Sequence, residues 1–207
     1  MHDGSQSVQG VYKRLAPIYD LLYGVGLQHG RRQAMARLAP AEGESVLEVG
    51  VGTGLSAMDY PSGCRVAAID LSAAMIERAR TRLVRSDVRH VSLCRMDAAH
   101  LAFPDNAFDA IYAAYVMNIV PDPVQVAREM LRVCKPRGRV VLLNHFHGTN
   151  KVSHPVNKLL GRVASHAGGV NWNLDLRTFL RQSGLRLLSI DHVNVPRVSS
   201  VIVCRGV

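Results

Sequence analysis

Aromatic side chains are scarce in this 207-residue chain, 5% in all with a single tryptophan, so no stacking platform of the kind that holds splayed bases can be read from it. The four cysteines, Cys64, Cys94, Cys134 and Cys204, are scattered without a C-x-x-C pair, and the nine histidines lack zinc-ligand spacing. Neither a disulfide framework nor a Cys/His metal centre is therefore expected, and the thiols read as reduced core residues. No run approaches the roughly 18–20 consecutive apolar residues of a membrane span. The opening MHDGSQSVQG has no basic stretch followed by an apolar one, so no secretory signal is read and a cytoplasmic location is expected. Internal repeats and low-complexity tracts are missing as well. Acidic residues are few, 16 against 25 Lys and Arg, which leaves a net charge of +9. Such an excess favours a polyanionic partner, either nucleic acid or an anionic membrane surface, unless it is only a solvated face.

What is present points to one soluble globular domain over residues 1–207, with 48% apolar and 20% charged residues. From residue 44 to about 146, short β-rich runs alternate with helix-length amphipathic segments. The spacing predicts strands at Ser45–Val49, Arg65–Asp70, Val91–Met96, Phe108–Ala114 and Arg139–His145, with helices near 53–59, 72–85 and 122–134. Alternation of this kind makes βαβ units and an α/β, mostly parallel sheet with helices on both faces. Pro136 and Gly138 read as stop and turn signals before the fifth strand. Residues 147–173 are polar and glycine-rich, and read either as a connection or as a substrate-side insertion. After them, LDLRTFLRQSG predicts a helix ending at Gly184, and Leu185–Asp191 with Ser200–Arg205 predict an antiparallel hairpin that completes a seven-stranded sheet. Ahead of the sheet, residues 1–38 form a separate segment interrupted by Pro17. Its aromatic, apolar APIYDLLYGVGL and basic HGRRQAMAR suit a segment packed across the sheet, a lid, or a helix lying on a membrane interface.

The glycines of VLEVGVGTGLS are the sharpest local signal. A dinucleotide loop requires G-x-G-x-x-G, but here Gly50, Gly52 and Gly54 alternate and Leu55 stands where the third fingerprint glycine would be. Three alternate glycines still make a tight turn with close backbone approach, and a helix start after them would receive a carboxylate. Twenty residues after Gly50, Asp70 closes the second strand, where an acid can hold both ribose hydroxyls of an adenosine. Asp97 follows the third strand, where an acid can meet the exocyclic amine of adenine. With Glu48, these acids suit a cofactor that joins a cationic amino acid to an adenosine.

LEVGVGTG, IDLSAAM, RMDAAHLAFPDNAFD and MLRVCKPRGRVVL together resemble the class I S-adenosylmethionine-dependent methyltransferases. The resemblance implies a Rossmann-like fold, with S-adenosylmethionine bound and S-adenosylhomocysteine as its product. It places Glu48, Gly50, Gly52, Thr53 and Gly54 around the methionine part, Asp70 on the ribose, Leu71 and Met75 against the adenosine, and Met96, Asp97 and Ala98 beside adenine. Ala114 would border the same site. No Asn-Pro-Pro-Tyr-type motif follows the fourth strand and no RNA-binding module is attached, so nucleic acid is not expected as the acceptor. YKRLAPIYD, GRR, AAYVMNIVPDP and VVLLNHF, read with the glycine loop, resemble more closely the small soluble bacterial phosphatidylethanolamine N-methyltransferases. That resemblance implies a phospholipid acceptor and peripheral contact with an anionic membrane; the alternative is a soluble small molecule such as an amine, a quinone precursor or a natural product. In this reading Tyr19 closes over the cofactor and faces the acceptor amine, Arg31, Arg32 or the basic 147–173 insertion meets the lipid phosphate, and Tyr115, Asn144, His145 and His147 stand at the rim as candidate catalytic or substrate-binding groups.

Overall fold

The computed structural model describes residues 27–146, 174–194 and 199–205. Seven strands form one sheet: β1 Ser45–Val49, β2 Arg65–Asp70, β3 Val91–Arg95, β4 Phe108–Ala114, β5 Cys134–Asn144, β6 Arg186–Val193 and β7 Ser199–Arg205, in the order β3-β2-β1-β4-β5-β7-β6. β1 to β5 run parallel, and β7 lies antiparallel between β5 and β6. The predicted architecture is therefore the observed one. Strand order reverses between β1 and β4, so loops leaving these two neighbours diverge to opposite faces and open a crevice at their C-terminal ends.

Each face carries its own core. α1, described over residues 27–38, buries Gly30, Ala34 and Leu38, one residue per turn of a single stripe. Ala34 and Leu38 pack with Val46, Ala68, Tyr112, Val141 and Leu143 on one face of the sheet. α2 Ala73–Arg85 joins this face through Ile76 and Leu83. On the other face, α3 Pro123–Val133 lays Val126, Ala127, Met130 and Val133 on β4 and β5. Burying side chains such as Met130 and Val133 contributes roughly 1.5–3 kcal/mol each. The start of α3 is set by Asp122, whose carboxylate accepts from the Gln125 amide, and by Pro123 in the first turn. α4 Leu176–Ser183 is capped likewise by Asp175 and ends at Gly184 in the left-handed region, as its sequence predicts.

Three expectations need correction. The helix predicted at 53–59 is a single 3-10 turn, Ser56–Met58. Gly54 has a positive φ just before it, Pro61 follows, and the Ser56 hydroxyl turns back to Glu48, so nothing propagates an α-helix. β5 begins at Cys134, directly after α3, and Pro136 to Gly138 form an irregularity within the strand where its register on β4 shifts. Gly138 is needed there because a Cβ would meet the Asp109 and Lys135 carbonyls at 2.9 Å. β5 also ends at Asn144, one residue before His145, while β3 ends at Arg95, so Met96 lies beyond it. Of the cysteines, Cys64, Cys134 and Cys204 are buried and Cys94 is exposed. Among the described residues no helix is long and apolar enough to cross a membrane. The segment before residue 27, with Tyr19, and the 147–173 insertion, with His147, lie outside the described residues.

Candidate active site

The glycine loop folds over the end of β2. The amides of Gly50 and Val51 both donate to the Ile69 carbonyl, at 2.8 and 2.9 Å. Gly50, Gly52 and Gly54 have φ of 72°, 55° and 80°, a region L side chains rarely adopt. A Cβ on Gly50 would collide with Val116 from the turn after β4, and one on Gly54 would press Ala79 of α2 at 3.1 Å. Alternate glycines thus let one short loop pack between β4 and α2. Arg82 of α2 holds it from outside, donating to the Thr53 carbonyl and hydroxyl at 3.0 and 3.1 Å.

Asp70 is tied into the same loop. Its Oδ2 accepts from the Gly52 amide and its Oδ1 from the Ser72 amide, both at 2.9 Å. Burial raises its pKa above the usual carboxylate value, and the two amides pull it back. Each oxygen keeps lone-pair capacity for a further donor. Without an α-helix behind the loop, the expected helix-end site for a carboxylate is lost.

A cavity of about 490 Å³ opens between this loop, the ends of β2 and β3, and the turn after β4. Gly50 and Thr53 line the loop side. Asp70, Leu71, Met75, Met96, Asp97 and Ala98 line the β2–β3 side, where the adenosine residues were predicted. Asp97 is exposed and accepts from the Ala99 amide at 2.9 Å, which fixes its carboxylate beside the opening. Ala114, Tyr115 and Arg31 also line the cavity. Sequence reasoning missed its apolar wall of Val116, Ile119 and Val120; the apolar run after β4 was the available signal.

Glu48, Gly52 and Gly54, also predicted at the cofactor, are not among the residues that line the cavity. Glu48 is 2% exposed and faces the α1 side of β1, opposite Tyr112 on β4. Ser56, which does line the cavity, donates to Glu48 Oε1 at 2.5 Å, while Oε2 has no partner among the described residues. Burial pushes the Glu48 carboxyl up to about 7, against the opposing pull of the Ser56 hydroxyl. The buried Tyr60 and Tyr112 hydroxyls beside it are likewise unpartnered among the described residues.

A second constellation surrounds Tyr115, just past β4, with φ 60° in the left-handed region. Its ring centroid lies 5.4 Å from that of His145, and the Arg31 guanidinium sits 5.7 Å from it. His145 is fixed through its backbone, which donates to Asn118 Oδ1 at 3.2 Å and accepts from Asn118 Nδ2 at 3.0 Å. Asn144 is buried against Asn118 and is not on the cavity wall, so the structure separates it from Arg31. Asn118, Asn194 and Ser199, which organise this end, carry no sequence signal of their own.

These groups fit a ligand made of a cationic amino acid joined to an adenosine. A buried carboxylate with an open oxygen lies behind the loop, a second carboxylate faces the cavity with spare acceptor capacity, and apolar side chains flank a third. Comparison with known proteins agrees. The methyltransferase-domain family matches residues 47–142. The chain is 40% identical over 170 residues to a phosphatidylethanolamine N-methyltransferase of Cereibacter sphaeroides, covering 82% of this chain and 81% of that one. It is 30% identical over 177 residues to a demethylmenaquinone methyltransferase of Lactiplantibacillus plantarum, covering 77% and 75%. Among solved structures, a SAM-dependent methyltransferase from Aquifex aeolicus aligns with TM-score 0.65 at 19% identity, over 86% of this chain and 90% of that one. A geranyl diphosphate C-methyltransferase from Streptomyces coelicolor, with S-adenosyl-L-homocysteine bound, aligns with TM-score 0.69 at 18% identity, over 86% and 80%. At those identities the structural likeness is one of fold.

Proposed function

The chain belongs to the S-adenosylmethionine-dependent methyltransferases, and we propose that its acceptor is the amine of phosphatidylethanolamine and of its methylated intermediates, converted towards phosphatidylcholine at a membrane surface. The observation that carries this reading is the 40% identity, over most of both chains, to a phosphatidylethanolamine N-methyltransferase. S-adenosylmethionine, when bound, supplies a sulfonium methyl group open to in-line displacement. The protein's share is positioning and the exclusion of water.

In this reading the Glu48 carboxylate takes the cofactor's ammonium, Asp70 its ribose and Asp97 its adenine amine. An amine attacks only when neutral, so the acceptor loses its proton either to solvent before binding or to a base in the site. Tyr115, which lines the cavity, and His145, whose ring packs against Tyr115 without lining the cavity, supply groups that handle protons, and Arg31 on the cavity wall supplies positive charge for a lipid phosphate. Tyr19, which lies outside the described residues, keeps the proposed role of closing over the cofactor and facing the amine. The net charge of +9 supports contact with an anionic membrane from the N-terminal segment.

The test is incubation with a labelled methyl donor and vesicles carrying phosphatidylethanolamine and its mono- and dimethylated forms. Label entering lipid is the expected result, and none in any of the three overturns the reading. The demethylmenaquinone relatives support a second reading, methylation of a quinone precursor or another small molecule, and their lower identity ranks it second. Offering demethylmenaquinone in the same vesicles separates the two, since label enters the quinone only in the second.

A further inference from the structure

Three polar atoms are buried on the α1 face of the sheet without a hydrogen-bond partner among the described residues: Glu48 Oε2, Tyr60 Oη and Tyr112 Oη. Glu48 and Tyr112 are register partners on the neighbouring strands β1 and β4. Tyr60 follows the 3-10 turn and packs in the same core as Tyr112. The two tyrosines are 4% and 0% exposed, so bulk water does not reach their hydroxyls. A buried polar atom left unpaired weakens a fold, and such atoms are few in native proteins. Three of them around one carboxyl point to a role in binding rather than in folding.

The charges around Glu48 nearly balance. Burial disfavours its ionised form, and Asp59 does so as well. The Ser56 and Tyr60 hydroxyls favour that form, as does Arg31 of α1, and the carboxyl settles at about 7. Tyr60 thus lies near enough to act on the carboxyl, yet stands outside hydrogen-bonding geometry. Burial, and then the Glu48 charge, hold both phenols well above their usual pKa, so each keeps its proton and remains a donor. An ionised carboxylate offers about four acceptor places. Ser56 fills one, two phenols can fill two more, and one is left for a cation. A protonated carboxyl has fewer places, because its own hydrogen takes one.

Resting on the reading of Glu48 as counter-ion of the cofactor's ammonium, we propose that Tyr60 and Tyr112 are positioning residues whose hydroxyls close on the Glu48 carboxylate as it ionises, so that cofactor binding expels the carboxyl proton to solvent. The O–H bond of the Glu48 carboxyl breaks and its proton passes to water. Both phenols keep their O–H bonds and turn them towards the oxygen left bare. One ammonium enters as one proton leaves, so the buried place carries no net charge before or after. An exchange of this kind avoids the cost of a lone buried charge, and it selects a ligand whose amino end is cationic. Ser56, which touches Glu48 and lines the cavity, marks the side from which the ammonium arrives.

Calorimetry of S-adenosylhomocysteine binding, run in buffers of different ionisation enthalpy, reads the protons released. Release of about one proton per ligand is expected near pH 6, diminishing as pH rises through about 7. Tyr60→Phe and Tyr112→Phe keep the rings and remove the hydroxyls. Each deletes an unpartnered buried atom from the free protein, so its thermal unfolding temperature should hold or rise. Affinity for S-adenosylhomocysteine at neutral pH should nevertheless fall about tenfold, because the ionised carboxylate loses a donor. Proton release should persist to higher pH for the same reason. A merely structural role would lower stability and affinity together. No proton release near pH 6 in the parent, unchanged affinity and pH profile in both Phe variants, or stability falling in step with affinity overturns the proposal. Glu48→Gln tests the underlying reading separately: if it binds S-adenosylhomocysteine as the parent does, with the same proton release, the counter-ion reading is overturned instead.

Discussion

The amide of Gly52 donates to Asp70 Oδ2 at 2.9 Å, so the carboxylate that faces the cavity also holds the glycine loop in shape. Asp70→Asn is the informative change. An Asn side chain must turn its NH2 towards either the Gly52 or the Ser72 amide, setting donor against donor. Losing a hydrogen bond to a charged group costs about 1.5–3 kcal/mol. Affinity for S-adenosylhomocysteine, measured by calorimetry, should fall roughly tenfold to a hundredfold. Binding within about twofold of the original would mean that Asp70 shapes the loop without touching the ligand.

The three glycines should differ when each is changed to Ala. All three have positive φ, which costs roughly 1–2 kcal/mol for any L side chain. Gly50→Ala adds a collision with Val116, Gly54→Ala adds pressure on the backbone and Cβ of Ala79, and Gly52→Ala meets nothing within 4 Å. Thermal unfolding should therefore rank Gly50→Ala as most destabilised and Gly52→Ala as least. A partial recovery in Gly50→Ala/Val116→Ala would identify the steric part. An equal loss in all three would show that backbone conformation alone matters.

Much of this site was legible because its parts are local. Asp70 ends a strand of clear alternation at a fixed distance from Gly50, and Leu71, Met75 and Met96 lie within a few residues of strand ends. The 3-10 turn at Ser56–Met58 was misread because hydrophobic periodicity cannot show that a serine hydroxyl will turn back to a buried glutamate. Pro136 and Gly138 mark an irregularity inside β5, and a single sequence offers the same letters for a strand boundary. Asn194 and Ser199 were invisible for a different reason. They reach Tyr115 and His145 only because β7 inserts between β5 and β6, a pairing that no local pattern specifies.

Arg139 joins the start of the sheet to the end of α1. Its guanidinium reaches both oxygens of Glu44, at 2.9 and 2.6 Å, and also donates to the Leu38 and Ala39 carbonyls. Those carbonyls end α1 and have few other donors, so Arg139→Ala should destabilise the protein by about 2 kcal/mol in urea unfolding. Arg139 also holds the Glu44 carboxyl below its usual range. A lowered folded-state pKa adds stability that is present above the unfolded value of 4.5 and is lost as pH falls through the folded one. The variant should accordingly lose less stability than the parent on acidification. Parallel acid limbs would remove the ion pair from the explanation.

Glu48 has the opposite sign. Its folded-state value of about 7 lies above the 4.5 of an ordinary glutamate, so between those limits the folded protein binds more protons than the unfolded chain. Stability of the cofactor-free protein should fall as pH rises through this window, by about 3 kcal/mol from this group alone. Glu48→Gln keeps the shape and removes the charge. It should be more stable than the parent at pH about 8, with the difference closing as pH approaches about 4.5. The same change deprives a bound ammonium of its counter-ion in a buried place, so S-adenosylhomocysteine should stabilise the variant much less than the parent. Thermal shifts across pH, with and without that ligand, read both effects at once. If the two proteins keep parallel stability curves, the carboxyl is not titrating in the window. If they diverge but gain equally from the ligand, Glu48 is a buried acid that the cofactor does not use.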